Sequence, residues 1–246
     1  MHISYPRRGR IVAGLLALAV ALLPMAATMP AAAAAEAATE PTGRPVSFNS
    51  NDGVVLSGIW YGEGNHVVVM SHQYNHDQQS WKPLVAKLVG QGYAVLTYNF
   101  RGYPPSEGTR EIGLIGGDLS AAVRFARGKG AGEIVLIGAS MGGIATVPVA
   151  VAEHVTAYVT ISAPLGFAGL EASDGALKGT SAPKLFINSE LDDYIEDTRH
   201  MAEVAREPKT LAIYPTGFHG TDLFATESGP QLQQQIVEFV EASMPL

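Results

Sequence analysis

Short apolar runs alternate with amphipathic helical patterns from about residue 46 to the C-terminus, and this alternation restricts the fold more than any other feature. Val67–Ser71 and Ile134–Ile137 are typical of buried strands, whereas Asp118–Arg127 repeats its apolar residues with the period of a helix. Strands that alternate with helices indicate βαβ units and a mostly parallel sheet covered by helices on both faces. Residues 39–246 are therefore expected to form one α/β domain.

An antiparallel hairpin is predicted at the start of this domain. Val46–Asn49 and Val54–Trp60 flank Asn51-Asp52-Gly53, whose residues tolerate the positive φ angles of a tight turn. Ser80 is expected to cap the helix that follows the first parallel strand, and Pro148 to kink or shorten a later helix. The remaining strands are predicted at Ala94–Tyr98, Ala157–Ile161, Leu185–Asn188 and Leu211–Tyr214.

The N-terminal segment has the pattern of an export signal. Arginines at positions 7, 8 and 10 precede an apolar run from 11 to 23, which is shorter than the ~20 residues that span a bilayer. Ala26–Ala38 then offers several A-x-A cleavage sites. Residues 1–38 are predicted to be a signal peptide with its processing segment, although an uncleaved N-terminal anchor is the alternative. We expect a secreted or extracytoplasmic protein, exported by a bacterial-type route, with no stable membrane span after cleavage.

Charge and cysteine content exclude several kinds of partner. The formal net charge is −7, and removal of the first 38 residues, which carry three arginines and one glutamate, makes it −9. An acidic surface repels nucleic acid and anionic membranes, so neither is expected as a partner. Because the chain contains no cysteine, disulfides and cysteine-ligated metals are excluded.

The pentapeptide Gly138-Ala139-Ser140-Met141-Gly142 is the strongest functional motif. Its G-x-S-x-G spacing follows an apolar strand directly and precedes a helical pattern, which is the context of a nucleophilic serine on a strand-to-helix turn. Small residues two positions away allow the strand and the helix to approach each other. We therefore predict that Ser140 is a nucleophile; the alternative is a glycine-rich turn with a helix-capping serine.

A nucleophilic serine needs a histidine base, and the base needs a carboxylate that orients it. On a strand–turn–helix nucleophile the chain order is serine, acid, histidine. His219 is the expected base because it lies in a glycine-flanked loop after the strand Leu211–Tyr214, whereas His154 and His200 fall in or beside helical patterns.

The acid should follow the strand Leu185–Asn188. Asp192 is the favoured candidate because it lies far enough beyond the strand to turn back toward the serine. Asp193 and then Glu190 remain the alternatives.

Two backbone N–H groups are needed to hold the oxyanion of an acyl-transfer reaction. The first is expected from Met141, and the second from the loop after Val67–Ser71. That loop contains His72, His76 and Asp77, which invite a metal-site interpretation. We disfavour a metal because the chain offers no evident further ligand and because serine chemistry requires neither a metal nor a cofactor.

Residues 46–246 resemble the α/β-hydrolase superfamily, particularly its small, lidless esterase and dienelactone-hydrolase-like members. The resemblance is carried by the nucleophile elbow Ile137–Gly143 together with Val67–Tyr74, Tyr98–Gly108, Lys184–Asp192 and Gly217–Gly220. It implies the α/β-hydrolase fold, assigns Asp192 to the acid, and assigns Tyr74 to the second oxyanion donor.

The chain departs from the family pattern at two places. Gln73 stands where glycine is usual in the oxyanion loop, and Asn188-Ser189 replaces the usual glycine before the acid. Unlike the dienelactone hydrolases, the chain has serine rather than cysteine as nucleophile. The segment from Pro164 to Ala182 is too short for a lid domain, so we expect a solvent-accessible site.

The residues and the resemblance together predict a secreted serine hydrolase that cleaves small carboxylic esters. A peptidase, amidase, thioesterase or perhydrolase would use the same residues, and a non-catalytic binding protein could retain the fold. The oligomeric state and the substrate are open. Aromatic residues that either line an apolar pocket or belong to the core are Trp81, Tyr103, Phe167, Tyr194 and Phe218.

Overall fold

A computed structural model describes residues 40–246 of the chain. The signal-peptide prediction for residues 1–38 lies outside these residues and stays a prediction. The strands are β1 (Arg44–Asn49), β2 (Val55–Tyr61), β3 (His66–Ser71), β4 (Ala94–Tyr98), β5 (Glu133–Ala139), β6 (Ala157–Ile161), β7 (Gly166–Phe167), β8 (Leu170–Glu171), β9 (Lys184–Ser189) and β10 (Lys209–Tyr214). The helices are α1 (Lys82–Gly90), α2 (Ile115–Gly128), α3 (Met141–Ala152), α4 (Asp174–Lys178), α5 (Ile195–Val204) and α6 (Gly229–Ser243).

The central sheet has eight strands in the order β1-β2-β4-β3-β5-β6-β9-β10. β2 pairs antiparallel with both β1 and β4, and the other neighbouring strands pair parallel. The predicted α/β fold, with a mostly parallel sheet and an N-terminal antiparallel hairpin, is confirmed. Because the parallel strands end at one edge, the loops after β3, β5, β9 and β10 gather there.

Helices cover both faces of the sheet, as the alternating pattern predicts. Val67 and Val69 of β3 belong to one hydrophobic cluster, which is shared with α2 and α3. Val68 and Met70 point to the opposite face and join a second cluster with α1 and α6. Successive residues of a strand face opposite sides, so a strand buried between two helical layers is apolar throughout.

The expected helix cap at Ser80 is wrong. A 3₁₀ turn (Gln78–Trp81) precedes α1, and its cap is Asp77, whose carboxylate accepts a hydrogen bond from the Gln79 N–H at 2.7 Å. The Ser80 hydroxyl instead donates to the backbone carbonyl of Asp77 at 2.9 Å. Helix α1 begins at Lys82 and carries a proline in its first turn, where a missing N–H does no harm.

Pro148 lies inside α3, and the helix continues beyond it to Ala152. Nine of the twelve residues of α3 are buried, so packing against the sheet outweighs the hydrogen bond that proline removes. The segment from residue 164 to 182, where we expect no lid, holds the two-residue strands β7 and β8 and the five-residue helix α4. No helix within residues 40–246 is long and apolar enough to cross a membrane.

An ion-pair cluster centred on the buried Arg101 ties the loop after β4 to two other parts of the domain. The Arg101 side chain is 3% exposed and donates to the fully buried Asp118 of α2, with contacts of 2.7 and 3.0 Å. The same guanidinium donates at 2.7 Å to Asp52 in the β1–β2 turn. These hydrogen bonds raise the pKa of Arg101 and hold the pKa of Asp52 far below its usual value.

Candidate active site

Ser140 occupies a sharp turn between β5 and α3. Its backbone has φ 49° and ψ −117°, a conformation that costs free energy for any residue with a side chain. The surrounding structure holds it there, because the Ser140 N–H donates to the Ile161 carbonyl at 2.8 Å and the Ser140 carbonyl accepts from Ile144 N at 3.0 Å. The turn therefore presents a half-buried hydroxyl at the carboxyl edge of the sheet.

The glycines on either side of Ser140 are required by close backbone approach. A Cβ on Gly138 would lie 2.4 Å from the Gly142 carbonyl oxygen, and a Cβ on Gly142 would lie 2.4 Å from the Ser71 carbonyl oxygen. Real Cβ atoms essentially never approach other heavy atoms to that distance. The G-x-S-x-G spacing thus has a steric basis in this chain.

The loops after β9 and β10 bring a carboxylate against a histidine. Asp192 is 5% exposed, and its Oδ2 accepts a hydrogen bond from His219 Nδ1 at 2.7 Å. The other oxygen, Oδ1, accepts from the Tyr194 N–H at 2.8 Å, which fixes the orientation of the carboxylate. Ser140 and His219 line the same cavity. The structure therefore brings Ser140, Asp192 and His219 together.

None of the alternative acids and bases replaces Asp192 or His219 in this pair, although Asp193 also lines the cavity. The side chains of Asp193 and Glu190 are exposed, and it is Asp192 that contacts His219. His154 follows the end of α3 with φ 49°, and His200 on α5 pairs with Asp174 at 2.8 Å on the surface.

The two expected oxyanion donors lie in the loop after β3 and directly after Ser140. Met141 is the first residue of α3, where backbone N–H groups and the helix dipole favour negative charge. Tyr74 lines the cavity in the loop after β3, and its carbonyl accepts a hydrogen bond from Tyr103 Oη at 2.8 Å. Burial raises the pKa of Tyr103 to about 12, so this donor stays protonated at physiological pH.

His72 holds the oxyanion loop against the loop after β4. Its Nε2 accepts a hydrogen bond from the Phe100 N–H at 3.1 Å, so its Nδ1 carries the proton and donates to the Gln73 carbonyl at 2.8 Å. Burial lowers the pKa of His72 to about 4, which keeps the ring neutral. His76 pairs instead with Asp222 at 3.1 Å. The two rings that suggested a metal site are thus engaged with separate partners.

Gln73 connects the oxyanion loop to the histidine loop, a contact that the sequence reasoning missed. Its Oε1 accepts from the Thr221 N–H at 2.7 Å and from Thr221 Oγ1 at 3.1 Å. A Cβ on Gly220 would lie 2.0 Å from the same Oε1, so the glycine after His219 is matched to this glutamine. The only signal in the sequence was that Gln73 stands where the family usually has glycine.

The second departure from the family pattern also connects loops. Asn188 Oδ1 accepts a hydrogen bond from Ser162 Oγ at 2.8 Å, across the ends of β6 and β9. The hydroxyl of Ser189 donates to the carbonyl of Phe218, next to His219. Of these two polar residues, Ser189 therefore supports the histidine loop and Asn188 links the ends of β6 and β9.

Ser140, Asp192 and His219 line a cavity of about 350 Å³, a volume at the lower end of small-molecule sites. Of the aromatic candidates, Phe167 and Tyr194 line it, Trp81 and Tyr103 are buried core residues, and Phe218 is 56% exposed. The His219 side chain is 33% exposed, which leaves the site accessible to solvent. The lining consists of Gln73, Tyr74, Asn75, Ser140, Pro164, Phe167, Leu191, Asp192, Asp193, Tyr194, Gly217 and His219.

The fold and the nucleophile elbow at Ser140 define the class of protein, and comparison with known proteins agrees with this class. The profile of the alpha/beta hydrolase family matches residues 54–235, so the chain belongs to that family. It is 26% identical over 231 residues to the uncharacterized protein YfhR of Escherichia coli K12, covering 81% of each chain.

Two solved esterases share the fold. The Pyrococcus furiosus esterase Pf2001 superposes with a TM-score of 0.72 at 20% identity, over 83% of this chain and 94% of that one. A thermophilic esterase from Thermogutta terrifontis gives a TM-score of 0.68 at 17% identity, over 81% and 99%. At these identities the likeness concerns the fold.

Proposed function

We propose that this protein is a serine hydrolase of small carboxylic esters in which Ser140 is the nucleophile, His219 the base and Asp192 the orienting acid. One observation carries the proposal: the strained serine shares a cavity with a histidine whose Nδ1 is bound to a buried carboxylate. The similarity in fold to solved esterases supports the choice of esters. Export of the protein remains a separate prediction, which N-terminal sequencing of the mature protein would test.

The hydrogen bond of His219 Nδ1 determines which nitrogen of the ring can act as the base. His219 Nδ1 is held by Asp192, which leaves Nε2 to take the proton as Ser140 Oγ attacks the carbonyl carbon of the ester. The N–H groups of Met141 and Tyr74 stabilise the oxyanion of the tetrahedral intermediate. As this intermediate collapses, the alcohol leaves with the proton from His219. Water, activated by the same imidazole, then hydrolyses the acyl-enzyme and restores Ser140.

The direct test combines a covalent probe with kinetics. A fluorophosphonate should label the protein at Ser140, and Ser140→Ala should abolish labelling and lower kcat on p-nitrophenyl esters by about 10⁴-fold or more. Ser47→Ala, which alters an exposed serine on β1, is the matched control and should retain labelling and turnover. Wild-type protein that is neither labelled nor active on any ester would refute the proposal.

A further inference from the structure

Building on the proposed ester hydrolysis, we propose that the cavity selects its substrate by charge. It accepts esters that place either an uncharged apolar group or a quaternary ammonium group in the cavity. It rejects esters that place an anionic group there. The substrate class is therefore narrower than small carboxylic esters in general.

The charges that line the cavity carry the first part of this inference. Asp192 and Asp193 contribute carboxylates, and the lining residues within the described part of the chain include neither lysine nor arginine. Asp192 is paired with His219, whereas the exposed Asp193 carboxylate forms no ion pair within residues 40–246. An anionic group in the cavity would approach two carboxylates without a compensating cation.

Aromatic and aliphatic side chains carry the second part. The rings of Tyr74 and Phe167 lie edge to face with centroids 5.6 Å apart, and Tyr194 lies 5.7 Å from the His219 ring. Leu191 extends this surface at the mouth, where it is 76% exposed. Aromatic faces attract cations and apolar groups alike. The lining thus complements an apolar or quaternary ammonium group.

The nearby arginine lies outside this cavity. Arg110 stacks over the Tyr103 ring at 4.2 Å and is 6.0 Å from the Tyr74 centroid. It lines a separate groove that shares only Tyr74 and Asn75 with the cavity. An anion bound by Arg110 would therefore have to extend out of the cavity that holds Ser140.

Three p-nitrophenyl esters of matched acyl length test the selection: valerate, hydrogen glutarate and 4-(trimethylammonio)butanoate. A unit charge about 6 Å from a carboxylate in a water-like dielectric changes kcat/KM about threefold, so two carboxylates predict about a tenfold preference for valerate over glutarate. The ammonium ester should react at least as fast as the valerate. Equal or faster reaction of the glutarate would overturn the proposal.

Substitutions identify the source of the preference. Asp193→Asn should reduce the valerate-to-glutarate ratio about threefold. Glu190→Gln removes the same charge from an exposed side chain that does not line the cavity, and it should leave the ratio unchanged. An unchanged ratio in Asp193→Asn would contradict the role of that carboxylate. If the glutarate is favoured and Arg110→Gln abolishes the preference, the groove rather than the cavity sets specificity.

An equilibrium measurement separates this inference from the proposed function. Benzyltrimethylammonium, benzyl alcohol and phenylacetate are titrated against Ser140→Ala, whose binding does not depend on turnover. Weaker binding of phenylacetate than of the other two supports charge selection even if no ester is hydrolysed, in which case only the proposed function fails. Tighter binding of phenylacetate overturns the selection even if the esters are cleaved.

Discussion

The contact between Gln73 and Thr221 offers the sharpest test of how this site is assembled. Gln73→Met keeps the length of the side chain but removes the oxygen that accepts from the Thr221 N–H and hydroxyl at 2.7 and 3.1 Å. Gln73 and Thr221 are 4% and 5% exposed, so water cannot readily replace the lost acceptor. We therefore expect a loss of both stability and turnover.

The size of the stability effect follows from these contacts. A buried donor left without an acceptor costs about 1–3 kcal/mol, and the hydroxyl can rotate toward another partner. We expect the free energy of unfolding to fall by about 2 kcal/mol, which lowers Tm by roughly 5 °C in a domain of this size. Because His219 lies two residues before Thr221, kcat should fall about tenfold as the two loops move relative to each other.

Urea unfolding and ester kinetics measure the two effects in the same preparation. Gln79→Met makes the same substitution at an exposed glutamine in the adjacent segment and serves as the control. Identical unfolding midpoints and kcat values for Gln73→Met and Gln79→Met would refute the reasoning. Gly220→Ala adds a further check, because its Cβ would approach Gln73 Oε1 to 2.0 Å. It should be less damaging in a Gln73→Gly background than in the wild type.

Three further predictions concern the fold around the site. Burial lowers the pKa of His72 to about 4 from its usual 6.5, so on acidification the His72 ring is protonated in the unfolded chain before it is protonated in the folded protein. The free energy of unfolding should therefore fall by about 2 kcal/mol between pH 8 and pH 5. His72→Gln should lack that part of the pH dependence in urea titrations, and an unchanged dependence would contradict the assignment. Asp118→Asn leaves the charge of the buried Arg101 partly uncompensated and should lower the free energy of unfolding by about 3 kcal/mol. A decrease of less than about 1 kcal/mol would contradict this prediction. Gly142→Ala places a Cβ 2.4 Å from a carbonyl oxygen of β3 and should abolish activity or folding, whereas Gly116→Ala in α2 meets open space and should be tolerated.

The architecture could be predicted because it depends on local and periodic signals. β4 and β6 have the predicted bounds, Ala94–Tyr98 and Ala157–Ile161, because strands buried on both faces are apolar throughout. The start of α1 could not be predicted, because a 3₁₀ turn capped by Asp77 precedes it and α1 itself begins after Trp81, which makes no side-chain capping hydrogen bond.

Some residues of the candidate site could likewise be predicted from local sequence, and others could not. Ser140 could be located because its turn is encoded in five consecutive residues between a strand and a helix. The choice between Asp192 and Asp193 depends on the conformation of a loop, in which the Tyr194 N–H orients Asp192. The hydrogen bonds of Gln73 join residues 148 positions apart in the chain, and no short-range pattern reports such a contact.

The location of the cavity at the carboxyl edge of the parallel strands has a consequence for variation in this protein. Residues 62–65, 129–132, 153–156 and 205–208 connect elements at the opposite edge, and they contribute none of the cavity lining within the described part of the chain. Insertions, new chain termini or a tether placed in the largely exposed connections 62–65 and 129–132 would leave the reacting groups where they are. One edge of the domain can therefore diverge or be engineered for attachment while the other retains its chemistry.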